Sequence, residues 1–138
     1  MKKLFLSIVL VLAVVLSTTA TEKETIAKPA TLSVSVNSFC KLIQMGEFDA
    51  VKALIEEGED VNRKSTGLTP LMFAARHNKC EIAKLLIANG AKLKTKADRN
   101  GFTALKFAEL SNAKDCYKVI KGALEAEKEQ KNKKRNRG

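Results

Sequence analysis

The sequence has no tryptophan, one tyrosine (Tyr117), one histidine (His77) and two prolines. A single histidine excludes a multi-histidine metal site and a histidine pair for acid–base work. Three cysteines, Cys40, Cys80 and Cys116, cannot all pair within the chain, which excludes a dense disulfide scaffold. No P-loop, no G-x-G-x-x-G and no G-x-S-x-G occurs, so the common phosphate-binding and serine-hydrolase signatures are missing. What remains is a chain of 138 residues, 45% hydrophobic, with 25 Lys+Arg against 15 Asp+Glu and a formal charge of +10. That length suits one small domain. The apolar fraction is too high for a wholly disordered chain. The positive excess would point to nucleic acid or an anionic membrane only if it lay on one folded surface.

The first twenty residues read as an address. Met1-Lys2-Lys3 is a short positive start, Leu4 to Leu16 is apolar except for Ser7, and Ser17-Thr18-Thr19-Ala20 offers small residues for cleavage. This is the three-part layout of a secretory signal peptide. The apolar run is short of the ~20 residues that span a bilayer. An uncleaved anchor is the competing reading. Cleavage would place the protein outside the cytoplasm, periplasmic or secreted, where disulfides are permitted and most genomic nucleic acid is out of reach. Residues 21–37 carry Thr, Ser, Lys and Pro29 with little helical period. They read as a linker, with one short extended piece at Leu32, Val34 and Val36, that ends by lying against the domain.

Self-similarity organises the rest. Gly67-Leu68-Thr69-Pro70-Leu71-Met72-Phe73-Ala74-Ala75 reappears 34 residues later as Gly101-Phe102-Thr103-Ala104-Leu105-Lys106-Phe107-Ala108-Glu109. The stretch from Gly46 to Gly58 recurs at Asn78 to Gly90, with a weaker third copy from Asn112 to Ile120. Each unit predicts two short helices and a turn. Thr69-Pro70 is a helix start, since the hydroxyl accepts an orphan N–H and proline fits the first turn. Ile82, Leu85 and Leu86 form one apolar stripe at helical spacing. Gly58 and Gly90 stand where a left-handed cap is needed, and Gly67 and Gly101 where a tight turn precedes the next helix.

On GLTPLMFAA (67–75), IAKLLIANGAKL (82–93), GFTALKFA (101–108) and EGEDVN (57–62), the chain resembles the ankyrin repeat family. The resemblance covers about residues 38–124. It implies an all-α solenoid of stacked helix pairs with β-turn fingers, in three repeats at 38–62, 63–96 and 97–124, followed by a basic tail at 125–138. The first repeat is degenerate, with Ser38-Phe39-Cys40-Lys41-Leu42-Ile43 in place of the TPL motif. Terminal repeats are expected to be atypical, because one face meets water. Met72 and Lys106 replace the histidine that the family places after TPL, so its polar links to the neighbouring repeat are absent. Three repeats are about the minimum for a stable stack, and the third is expected to fray first.

The residues that could carry chemistry are few. His77 and Cys80 could share a helix face, but no orienting group or closed pocket accompanies them, and they read as variable surface positions. The three cysteines lack the close pair and fourth ligand of a zinc site. Cys80 corresponds in register to Lys114, which puts Cys116 two residues on in the next repeat. Stacked helices lie about 10 Å apart, while a disulfide needs Cα atoms within about 7 Å. A bond would therefore require the loop to bend inward. Cys40 reads as a small buried hydrophobe. Glu56, Glu57, Glu59 and Asp60 read as a solvated helix end rather than a cation site. No metal or cofactor is expected, and no catalysis.

The resemblance places partner contacts at the variable concave positions and finger tips. In the first repeat these are Gln44 and Met45, in the second Arg76 and His77. Leu110 and Ser111 are their counterparts in the third. The first finger offers Arg63, Lys64, Ser65 and Thr66, and the second Asp98, Arg99 and Asn100. This describes a monomeric module that binds another protein, one with an acidic surface. The other reading is a tether to an envelope surface or nucleic acid through the tail, where Lys131, Lys133, Lys134, Arg135 and Arg137 run without an acid. No aromatic lies near the tail to stack on bases, and it otherwise reads as a disordered solubilising end. Segment charges favour the module. Residues 38–62 have two basic and six acidic residues, 63–96 have eight and one, 97–124 have five and three, and 125–138 have six and three. The charge is a dipolar stack with an acidic first repeat and a strongly basic middle.

Overall fold

The computed structural model describes residues 36–138. The signal peptide expected at 1–20 and all but the end of the linker expected at 21–37 lie outside the described residues. Among the described residues six helices follow one another: α1 (Ser38–Met45), α2 (Phe48–Glu56), α3 (Pro70–Arg76), α4 (Cys80–Ala88), α5 (Ala104–Leu110) and α6 (Lys114–Arg135). Each helix packs on its hairpin partner and on its counterpart in the next repeat. This makes an inner layer of α1, α3 and α5 and an outer layer of α2, α4 and α6. Among the described residues there is no strand, only a single bridge between Ser65 and Leu68, and no helix is long and apolar enough to cross a membrane.

Local chemistry sets the helix starts. The Asn37 side chain accepts from the Cys40 amide at 2.8 Å and caps α1. Thr69 and Thr103 cap α3 and α5, each accepting from an amide three residues on at 3.4 Å. Met72, standing where the family has histidine, accepts from the Thr69 amide on its sulfur at 3.4 Å, a contact within its own helix start. Within each helix pair the tight turn needs one left-handed residue. It is Gly46 (φ 85), Asn78 (φ 53) and Asn112 (φ 52) in turn, residue types that tolerate this conformation.

The core runs between the layers. Phe39, Ile43, Val51, Leu71, Met72, Phe73, Leu86 and Ile120 are all buried. Burial of each large side chain contributes roughly 1.5–3 kcal/mol before entropy. Val36 packs against this core, and the Asn37 amide donates to the Ser65 hydroxyl at 2.9 Å. The last residues before α1 therefore do lie against the domain.

The tail departs from expectation. Residues 125–135 are not a loose end but the continuation of α6, which is 22 residues long and crosses the 124/125 boundary without a break. Glu127 accepts from Lys94 at 3.2 Å. The sequence from Glu125 to Arg135 is rich in Glu, Ala, Lys and Gln, strong helix formers that extend a helix already nucleated by packing.

Candidate functional site

The first finger is built around a pair of positive-φ residues, the second around Gly101 alone (φ 67). Thr66 (φ 53) and Gly67 (φ 82) form the tip of the first, closed by Ser65 N–Leu68 O at 2.8 Å and Leu68 N–Ser65 O at 3.0 Å. That sign at both central residues marks a turn matched to the twist of a β-ribbon. The second finger is closed by Ala97 N–Phe102 O at 2.9 Å. The fingers are joined to each other. The Asp98 amide donates to the Gly67 carbonyl at 3.1 Å. Lys64 Nζ donates to the Lys96 carbonyl at 2.9 Å and to the Asp98 carboxylate. At their bases, Asn62 donates to the Gly90 carbonyl at 3.0 Å and accepts from the Lys92 amide at 2.8 Å.

A groove of about 540 Å³ opens where the fingers meet the inner helices. It is lined by Thr66, Gly67, Leu68, Arg76, Ala97, Asp98, Arg99, Asn100 and Phe107. Five residues expected at a partner surface therefore come together: Thr66, Arg76, Asp98, Arg99 and Asn100, all exposed. Leu68 and Phe107 supply an apolar floor. Among the described residues, neither Arg76 nor Arg99 nor the exposed Arg63 takes part in an ion pair.

The other expected positions separate. Gln44, Met45 and His77 lie at the C-terminal ends of α1 and α3, where Gln44 Nε2 stands 3.2 Å from His77 Nε2. Partial burial, then the charges of Arg76 and Lys79, hold the His77 imidazole below its usual value. With Nε2 unprotonated, the ring accepts the Gln44 amide hydrogen and links the first two repeats. Met45 is 59% exposed beside this link, and Leu110, its counterpart in the third repeat, is 60% exposed. Lys64 is engaged with the second finger, as above. Ser65 is a correction. It is only 6% exposed, and its hydroxyl accepts from the Asn37 amide, so it holds the finger and offers no contact surface.

No motif pointed to a second groove, of about 510 Å³, lined by Gly46, Phe48, Asn78, Lys79, Cys80, Glu81 and Ile82. It lies between the starts of α2 and α4. The exposed Phe48, first residue of α2, is the signal that could have found it. The cysteines also differ from expectation. Cys80 Sγ and Cys116 Sγ are 2.6 Å apart, although adjacent helix axes were expected to hold them too far apart. The reason is rotation along the helix. Two residues beyond the exposed Lys114, roughly 200° round and 3 Å up the axis, Cys116 turns into the interface, and both side chains reach across the gap between axes. Cys40 is fully buried, and burial, with the nearby Glu59, pushes its thiol up to about 12. Among the described residues no three His, Cys, Asp or Glu side chains converge as a metal site.

A stack of helix pairs with turn-closed fingers and a groove at their junction defines a repeat solenoid. The sequence model of ankyrin repeats (3 copies) matches residues 39–132, and the chain belongs to the ankyrin repeat family. It is 40% identical over 63 residues to the ankyrin repeat protein FPV031 of fowlpox virus (strain NVSL), covering 44% of this chain and 18% of that protein. It is 38% identical over 77 residues to the probable E3 ubiquitin-protein ligase XBOS33 of Oryza sativa subsp. japonica, covering 54% and 15%. The chain thus spans less than a fifth of the length of these curated relatives. Among solved structures it is similar to a chain in the complex of the predatory endopeptidase Bd0816 from Bdellovibrio bacteriovorus with immunity protein Bd3460. The TM-score is 0.60 and the identity 32%, over 64% of this chain and 47% of that one. Ankyrin repeats are protein-binding modules.

Proposed function

We propose that this protein is an exported ankyrin-repeat module that binds another protein in the periplasm or outside the cell, without catalysis of its own. The observation that carries the reading is the groove between the fingers and α3. There an apolar floor of Leu68 and Phe107 is edged by Arg76 and Arg99, two guanidinium groups with no ion-pair partner among the described residues. Unpaired arginine beside an apolar floor is the composition that a partner can bury as an interface centre. The partner of this geometry has a projecting acidic loop with an apolar tip. Export is supported by the layout of residues 1–20, and a protein partner by the similarity to a chain of an endopeptidase–immunity complex.

The test is affinity capture from the exported fraction with the full chain and with an Arg63→Glu/Arg76→Glu/Arg99→Glu variant. These positions are exposed, so the variant should keep the helical circular dichroism of the parent. Loss of a captured protein from the variant is expected, and identical captured sets would overturn the reading. A chain lacking residues 131–138 should retain the partner. If that deletion instead abolishes retention on anionic vesicles or DNA while the groove variant changes nothing, the tail is the working part.

A further inference from the structure

We infer that Cys80 and Cys116 close an intramolecular disulfide that staples the middle repeat to the third. Three observations meet at this pair. The sulfurs stand 2.6 Å apart across the α4–α6 interface, joining the outer helices of those repeats. Cys80 is the first residue of α4, is partly exposed, and lines the 510 Å³ groove between Gly46, Phe48 and Lys79, so it is open to a reagent from solvent. Cys116 is buried, with its sulfur 3.8 Å from the Ala74 carbonyl, so it cannot turn away to pair elsewhere without leaving the core.

The chemistry needs an external disulfide as oxidant, of the glutathione or protein dithiol class. Cys80 loses its proton and attacks one sulfur of the oxidant, giving a mixed disulfide and releasing one thiol. Cys116 then loses its proton and attacks Cys80 Sγ. The new S–S bond forms, the mixed disulfide breaks, and the second thiol departs. Two cysteine thiols are oxidised by two electrons and one external disulfide is reduced to two thiols. Burial, then the hydrogen bond with Cys80, keeps the Cys116 thiol protonated above its usual range. The second step is therefore the slow one, driven by contact rather than acidity. Cys40, buried elsewhere in the core and held up to about 12, stays reduced and serves as an internal control.

The closed bond encircles the chain from Cys80 to Cys116, which includes the second finger and α5. An end repeat otherwise held on one side only is then fixed at both ends of that loop, and with it Asp98, Arg99 and Asn100. The inference rests on the sulfur geometry, independently of any role for the groove at the fingers.

The full chain, incubated with oxidised glutathione, is denatured without reductant in the presence of iodoacetamide. One alkylated cysteine, Cys40, and a digest fragment joining Cys80 to Cys116 are expected. Three alkylated cysteines, a bond to Cys40 or a bond between two chains would overturn the inference. Reductant should lower the Tm of the oxidised chain by about 10 °C. C80S, C116S and the double variant should share one lower Tm that reductant leaves unchanged. A disulfide whose reduction leaves the Tm in place would refute the staple while keeping the bond.

Discussion

The middle and third repeats open on nearly the same nine residues, GLTPLMFAA and GFTALKFAE, and build nearly the same backbone: a tight turn, a threonine cap and a seven-residue helix. Their burial is very different. From Pro70 to Ala75 every residue of α3 is buried, whereas in α5 only Ala104, Phe107 and Ala108 are. The motif sets the local conformation, while position in the stack decides how much of it leaves water. α3 is enclosed by α1, α5 and α4, and α5 has a neighbouring repeat on one side only. Stability in a solenoid is the sum of such interfaces, so the end repeat is the weak one unless something else holds it.

The sharpest probe of that difference is a matched pair in register. Leu71 is 1% exposed, and Leu105, its equivalent, is half-buried. Leu71→Ala should cost about 3 kcal/mol, within the range for a large-to-small core change. Leu105→Ala should cost about 1 kcal/mol, because water can fill the space that it leaves. Urea denaturation of both variants measures this, and equal losses would mean that the third repeat is as enclosed as the middle one.

A second matched pair separates the fingers. Gly67 (φ 82) and Gly101 (φ 67) both occupy the left-handed region. A Cβ at Gly67 would come within 3.2 Å of the Asp98 Cβ, whereas a Cβ at Gly101 would meet nothing within 4 Å. Gly101→Ala therefore carries only the conformational cost, about 1 kcal/mol. Gly67→Ala adds the separation of the two fingers, for about 2 kcal/mol in total. Chemical denaturation checks the ranking. The same cost for both would show that the fingers are not pressed together at Gly67.

These pairs also show what was legible in the sequence. The register, the Thr69 and Thr103 caps and the glycine turns are local, encoded by residues within a few positions of one another, and they were readable. The helical continuation of α6 is legible in principle from the Glu, Ala and Lys content of 125–135, but the charge run alone points toward disorder. The burial of Ser65 and the meeting of Cys80 with Cys116 depend on where a second element lies and on the rotation of one helix against another. No single segment holds that information. Of the expected partner residues, the five around the finger groove share a lining because the second finger follows the first at one repeat's spacing, which the periodicity already implied.

The smallest expected effect distinguishes the two junctions of the stack. At the junction of the first and middle repeats, His77 meets Gln44. At the next, the register equivalent of His77 is Ser111, which does not titrate. Partial burial and the positive charges of Arg76 and Lys79 lower the His77 pKa from 6.5, so folding favours the neutral ring. Stability from this site is therefore full above the unfolded value of 6.5 and is lost as pH falls through the lower folded value. Protonation removes the acceptor that Gln44 uses and places a third positive charge beside Arg76 and Lys79. Denaturation midpoints between about pH 7 and about pH 5 should fall slightly more for the parent than for His77→Gln, which keeps a neutral polar group at every pH. Hydrogen exchange should place the added opening in α1 and α2, at the titrating junction, and leave α5 unchanged. If the acid-induced opening appears in α5 instead, the weak junction is the one between the middle and third repeats, and the histidine has no part in it.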